Sequence, residues 1–350
     1  MMQFSYSPPT ESIDAVITWV DGDDPAYQEK LAYYLSQTTL VHPEATAKTR
    51  FCQAGELEYC VTSLFRFAPW LRNIYIVTDN QIPPLLDKLA GTSYENKVHL
   101  IDHKVIFSGF EHFLPTFNSL TIETLLWRIP GLSERFLYLN DDFVLVNPVS
   151  PTNFFRNNHV VLRGKWRKFR SQKLSHRILD RMRAFRKRPL SNEPEFPKHR
   201  LAQENSARLT GHDKDYFYLY HNPHSLHRST LANYFAVNCS QLTTNLCFRF
   251  RAAEQFVMTT LAAHLEIKAK KVVIDNQLHC LQLKLEIESL RNIKQLIRCA
   301  DRNKNLSFVC VQSLDSAPLA VRDVIFTWLD RRIGSFDYLL AEKQRIAGTV

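Results

Sequence analysis

The stretch RFLYLNDDFVLV (135–146) places Asn140, Asp141 and Asp142 between two apolar runs. Adjacent carboxylates repel each other, and withdrawing them from water is costly unless positive charge sits beside them. A divalent cation shared with a ligand's phosphates supplies that charge, and magnesium favours shells built partly from protein and partly from ligand oxygens. Two more acids stand just past apolar runs, Asp21 in IDAVITWVDG (13–22) and Asp79 in NIYIVTDN (73–80). An Asp pair alone also suits a polar turn between two strands. Acids after three separate apolar runs point instead to a nucleotide-diphosphate and metal site.

The elements that must position these acids are readable around them. The runs 13–22, 73–80, 97–102 and 135–139 have the apolar content of buried strands. Between them, GELEYCVTSLFRFAPW (55–70) sets Leu57, Cys60, Val61, Leu64 and Phe65 on one helical stripe that Pro69 ends. IPPLLDKLA (82–90) and TFNSLTIETLLWRIPG (116–131) also read as helices, the second closed by Pro130-Gly131. Strands alternating with helices predict an α/β layer on a mainly parallel sheet, with ligands bound beyond the carboxyl ends of its strands. From 205 onward the pattern is mostly helical, and these helices are expected to pack on the α/β layer. The expected organisation is a tail over 1–11, the α/β region over 12–161, a basic insertion and loop over 162–199, a helical region completing the site over 200–335, and a tail over 336–350.

Composition narrows the class. An apolar content of 45% with 12% aromatics fits a packed globular chain of 350 residues. No run approaches the ~18–20 apolar residues of a membrane span, and MMQFSYSPPTES lacks the pattern of a secretory signal. A cytoplasmic location, with a peripheral place at the inner face of the membrane, is therefore expected. Seven cysteines without a CxxC pair suggest reduced thiols, not a disulfide framework or structural zinc. The net charge of +9 is concentrated: residues 162–188 hold twelve Lys/Arg against the single acid Asp180, so the rest of the chain is weakly acidic.

Long blocks carry a resemblance. IDAVITWVDGDDP (13–25), GELEYCVTSLFRFAPWLRNIYIVTDNQIP (55–83), LPTFNSLTIETLLWRIPGLSERFLYLNDDFVLV (114–146) and HNPHSLHRSTL (221–231) resemble, in order, segments of the Stealth family. That family comprises bacterial capsule polymerases and the animal N-acetylglucosamine-1-phosphotransferase. The resemblance implies a GT-A-like nucleotide-sugar-binding layer and a divalent metal, magnesium or a similar cation. It also implies transfer of sugar-1-phosphate from a UDP-sugar to a glycan hydroxyl, with release of UMP. The product would be a phosphodiester-linked capsular or surface polysaccharide. It assigns Asp141 and Asp142 to the metal. The family's late Cys-x-Asn-Asp is replaced by FVCVQSLD (308–315), where Gln312 and Ser313 stand for the Asn-Asp, so Asp315 becomes the candidate third ligand.

By the same resemblance His221 is the catalytic histidine, with His224 and His227 as local competitors. Arg228 and Arg251 are catalytic cations beside Asp142. Thr18, Trp19, Asp21, Gly22, Arg50, Asn118, Ser119 and Asn140 are the donor-binding set. Turn and cap roles suit Asp21 and Ser119 equally well.

The basic stretch 162–188 has two readings: a grip for a polyanionic acceptor, either phosphoglycan or lipid-linked, or docking on an anionic inner membrane. A plain solvated basic helix is the third. No nucleic-acid motif is evident, and nucleic acid is not expected as a partner. The rivals to phosphoryl transfer are an ordinary GT-A glycosyltransferase that attacks carbon and releases UDP, and a non-catalytic polyanion binder.

Overall fold

The computed structural model describes residues 12–38, 42–46, 51, 53–170 and 198–336. The tail 1–11, Arg50, the basic residues from 171 to 188, the part 191–197 of the loop expected over 191–200 and the segment 337–350 lie outside them; the end of that expected loop is instead the start of the helix His199–Leu209.

Four strands, β1 (Ile13–Thr18), β2 (Ile74–Thr78), β3 (Val98–Asp102) and β4 (Arg135–Asn140), pair in parallel in the order β4-β1-β2-β3. All four carboxyl ends therefore share one edge. Alternation along each strand divides the core between the two faces of the sheet. Ile13, Ala15 and Ile17 join Leu137 and Leu139 on one side, while Val16, Tyr75, Val77, Phe136 and Tyr138 pack on the other. Helix α1 (Pro25–Ser36) follows β1, capped by Asp24, and α2 (Glu56–Phe67) buries the predicted stripe Leu57, Cys60, Val61, Leu64 and Phe65 against the first face.

A fifth strand, His224–His227, extends the sheet beside β4 and runs antiparallel to it, with His224 opposite Tyr138 and His227 opposite Arg135. The second half is thus less helical than its pattern suggests. Besides six helices among the described residues, it contributes this strand and four more, Asp215–Leu219, Val272–Ile274, His279–Lys284 and Leu306–Gln312. The last two pair in parallel, and Leu306–Gln312 also pairs antiparallel with β5 (Phe143–Leu145). The run LSFVCVQ is buried almost throughout, as a strand covered on both faces must be.

The helix expected over 116–131 is also interrupted. It is helical only over Ser119–Glu123 and resumes as a 3-10 turn at Leu126–Arg128. Thr121 and Thr124 explain the break. Thr121 Oγ1 donates to the carbonyls of Asn245 and Phe248, and Thr124 Oγ1 donates back to Leu120 O at 2.6 Å while accepting from Asn245. Such side-chain bonds compete with helix propagation.

Gly22 marks a close backbone approach. Its N–H donates to Phe51 O at 2.7 Å, and a Cβ there would lie 2.3 Å from that oxygen. Gly22→Ala is expected to cost about 1–3 kcal/mol through this overlap, read as a lower urea midpoint.

Candidate active site

Beyond the carboxyl edge of the sheet lies a cavity of about 500 Å³. Thr18 and Trp19 from the end of β1 and Asn140, Asp141 and Asp142 from the end of β4 form its floor. The register fixes this, because Thr18 pairs directly with Asn140. Tyr138, two residues earlier on the same face of β4, shares a 3.1 Å hydrogen bond with Thr18 Oγ1 and donates to Asn140 Oδ1 at 2.7 Å.

Hydrogen-bond satisfaction separates the structural acids from the available ones. Asp14, wholly buried at the opposite edge, accepts from Arg72 Nε and Nη2 at 2.9 and 2.6 Å and from the backbone N–H groups of Asn73 and Ser133. Asp21 accepts from Asp23 N at 3.0 Å, and its own N–H donates to Gln81, so it organises the turn outside the cavity. Asp79 pairs with Lys30 on α1. Among the described residues the Asp141-Asp142 pair has no cation of this kind. Asp142 Oδ2 accepts from the Cys310 thiol at 3.3 Å, and its Oδ1 is buried without a partner among the described residues. Burial, then the charges of Asp142 and Glu56, push Asp141 well above the ordinary carboxyl range. Burial likewise pushes Asp142 up to about 7. Glu56, at the start of α2, is also raised, first by burial and in part by Asp315.

The adjacent carboxylates of this acid-rich corner suit a hard divalent cation. Among the described residues, however, no three His, Cys, Asp or Glu side chains converge as a metal-holding group. Asp141 and Asp142 would therefore hold such a cation with help from ligand oxygens. The structure does not bring Asp315 into a three-ligand group. It lines the cavity behind Ser313, which is left-handed at φ 59, and its carbonyl is anchored by Arg322.

The cavity also holds a cation. Arg251 Nη2 donates to Ser119 Oγ at 2.6 Å, and burial of the guanidinium lowers its pKa. Glu123, four residues after Ser119, is the acid beside it; burial pushes Glu123 up to about 7 against the pull of Arg251. Asn118 caps Leu120 N and donates to Phe248 O and Gln255 Oε1, which fixes this wall in place. Trp19 Nε1, His103 Nδ1 and Thr260 Oγ1 line the cavity and are buried without partners among the described residues. Each such group costs about 1–3 kcal/mol if left unmet, so the cavity is built to be completed by a polar ligand.

The histidines separate by geometry. His221 and His224 line the cavity, whereas His227 bonds Glu266 at 2.9 Å at the far edge of the sheet. Burial holds His221 below its ordinary value and pushes His224 down to about 3. Arg228 is a correction. It follows a strand that runs antiparallel to β4, so it emerges at the edge opposite the cavity, where Nη1 donates to Leu132 O. Arg228→Ala is accordingly expected to leave kcat/KM within about twofold of wild type, as steady-state rates would show. Gly22 is likewise outside the cavity lining, and Arg50 lies outside the described residues.

Glu56, Glu123, His103 and Tyr138 were absent from the sequence-derived set. Tyr138 had a usable signal in the two-residue period of β4. The others are brought in by elements remote in sequence from the acidic pair.

The pattern for Stealth protein CR2, conserved region 2, matches residues 50–162, and that for CR1, conserved region 1, matches residues 11–39. These matches make residues 11–39 and 50–162 similar to the two conserved regions of Stealth proteins. An exopolysaccharide phosphotransferase of Streptomyces coelicolor is 44% identical over 147 residues, covering 42% of this chain and 26% of that one. A capsular polysaccharide phosphotransferase of Neisseria meningitidis serogroup B is 42% identical over 154 residues, covering 43% and 39%. The chain thus spans well under half the length of these relatives. The bifunctional glycosyltransferase WbbM aligns structurally at 12% identity with a TM-score of 0.43, over 93% of this chain and 50% of that one. Mouse xyloside xylosyltransferase 1 aligns at 11% identity with a TM-score of 0.39, over 85% and 97%. The Stealth regions contain β1 to β5 and both acids of the pair. Among the described residues, no helix is long and apolar enough to cross a membrane.

Proposed function

We propose that this chain transfers sugar-1-phosphate from a UDP-sugar to a glycan hydroxyl, releasing UMP and extending a phosphodiester-linked capsular or surface polysaccharide. The observation that carries this reading is the Asp141-Asp142 pair, which no cation among the described residues neutralises. It stands on the cavity floor, inside the stretch shared with exopolysaccharide and capsular polysaccharide phosphotransferases.

The transfer needs the acceptor oxygen to bond the phosphorus that carries the sugar, while the bridge from that phosphorus to UMP breaks. Positioning and charge neutralisation supply most of the rate. Bound magnesium would neutralise the pyrophosphate and the UMP leaving oxygen. Asp141 and Asp142 would hold it. Arg251, at the other side of the cavity, neutralises phosphate oxygens, and Ser119 fixes the guanidinium's orientation. Trp19 Nε1 and Thr18 offer a donor and a hydroxyl to the nucleoside at the end of β1.

His221 takes the acceptor proton. Its lowered pKa keeps the imidazole neutral near pH 7 and free to accept, whereas His224 is too weakly basic for that task. Contact with a membrane surface belongs to the same proposal only as the place where a lipid-linked acceptor would be met.

The test is the identity of the released nucleotide when purified protein is incubated with magnesium, candidate UDP-sugars and a phosphoglycan primer. UMP is expected, with His221→Ala slowed about 10²–10⁴-fold at saturating substrate. Release of UDP would show attack at carbon and overturn the reading.

A further inference from the structure

The strand Gly164–Lys168 pairs antiparallel with Asp215–Leu219, setting Lys165 opposite Tyr218 and Arg167 opposite Tyr216. One face of this ribbon therefore carries Lys165, Arg167, Tyr216 and Tyr218, and Tyr220 follows on the same side. The tyrosine rings form a ladder, 6.4 Å from Tyr216 to Tyr218 and 6.3 Å from Tyr218 to Tyr220. Its outer rung is closed, because Tyr216 is buried under Phe169 and the helix His199–Leu209. Its inner rungs are half-exposed, and Tyr220 lines the cavity beside His221.

Over Tyr218 lies the Arg167 guanidinium, 3.8 Å from the ring centroid. Neither Arg167 nor Lys165 has a carboxylate partner among the described residues. A guanidinium stacked flat on a ring keeps its N–H edges free and is preorganised for two-pronged contact with a phosphate. Tyrosine faces take the apolar faces of sugar rings at little entropic cost. The opposite face of the ribbon holds Phe217 and Leu219 in the main core, which anchors the platform.

We propose that Tyr220, Tyr218, Arg167 and Lys165 form an acceptor subsite that holds a phosphodiester-bearing glycan as it leaves the cavity. The sugar rings lie on the two tyrosines and a backbone phosphate lies on Arg167. The subsite rests on the transfer reading only for its role as the acceptor's path. Alternation along the strand spaces its contacts about 6.6 Å apart. A glycan therefore meets it in extended form.

The probe is yeast phosphomannan, with neutral mannan as its control, titrated against the purified full chain by thermophoresis without donor. Wild type is expected to prefer phosphomannan, and the preference should fall as salt rises. Arg167→Ala should weaken phosphomannan binding about tenfold and leave neutral mannan unchanged. Tyr218→Ala should weaken both, and Arg167→Lys should recover only part of the loss. Circular dichroism melts confirm that each variant is folded, and Tyr218→Phe, which keeps the ring, should bind as wild type does. Equal binding of the two mannans by wild type, or unchanged phosphomannan binding by Arg167→Ala, overturns the subsite. The binding and nucleotide-release assays fail independently. UDP release with intact Arg167-dependent binding sinks the phosphoryl-transfer reading alone, and UMP release with Arg167-independent binding sinks the subsite alone.

Discussion

Asp142→Asn is expected to lower kcat by about 10²–10³-fold, the scale seen when one preorganised charge contact to a reacting group is removed, while the protein remains folded. The substitution is nearly isosteric, and an amide still accepts from the Cys310 thiol that now bonds Oδ2. What disappears is one negative charge in a corner that also holds Asp141 and Glu56. That loss has a second signature, in stability.

In the folded chain Asp142 titrates near 7, against an ordinary 3.8, because burial disfavours its charge. A carboxyl raised in this way contributes stability that is present below the ordinary value and is lost as pH rises through 7. Metal-free wild type should therefore melt at a lower temperature than Asp142→Asn at pH 8, and the two should converge at pH 4. Millimolar magnesium should raise the wild-type melting temperature at pH 8 and move the Asn variant much less. Wild-type turnover in Asp142→Asn, or equal magnesium shifts in both proteins, would remove Asp142 from the site.

The second large effect belongs to Arg251. A charge-assisted contact to a phosphate is worth about 1.5–3 kcal/mol, so Arg251→Ala should raise the donor KM or depress kcat by roughly 10–100-fold. Arg251→Lys keeps the charge but not the fork, and should recover only part of the loss.

The same change strips Glu123 of the guanidinium that holds its pKa down. Glu123 already titrates near 7, against an ordinary 4.5, so its stabilising contribution is present below 4.5 and fades as pH rises through 7. Without Arg251 that fade should be deeper. Arg251→Ala should be destabilised more at pH 8 than at pH 5, and the double variant Glu123→Gln/Arg251→Ala should lose the added pH dependence. Urea unfolding at the two pH values reads both. An Arg251→Ala penalty that is the same at pH 5 and pH 8 would mean that the two side chains do not interact as argued.

The acidic pair was legible because it breaks an apolar run where a buried strand must end, and α2 because its apolar residues recur at helical spacing. Partners were not legible. Asp21, Asp79 and Asp141-Asp142 look alike in the sequence, each an acid past a strand. Only the fold ties the Asp21 backbone to Gln81 and supplies Lys30 to Asp79, and among the described residues it leaves the pair without a cation.

Arg228 and His221 show the same limit in a sharper form. Both flank the strand His224–His227, and the block that contains them gives no strand direction. Because that strand pairs antiparallel with β4, the residue before it opens onto the cavity and the residue after it leaves at the opposite edge. Glu123 and Arg251 lie far apart along the chain and meet because Asn118, Thr121 and Gln255 tie their segments together.

The sequence by itself determined the parallel layer, its acidic edge and the resemblance of residues 11–39 and 50–162 to Stealth regions, since strand periodicity and residue type are local properties. The tertiary structure alone decided which charges are already satisfied and which are left for a ligand, because satisfaction depends on strand direction and on contacts between distant residues.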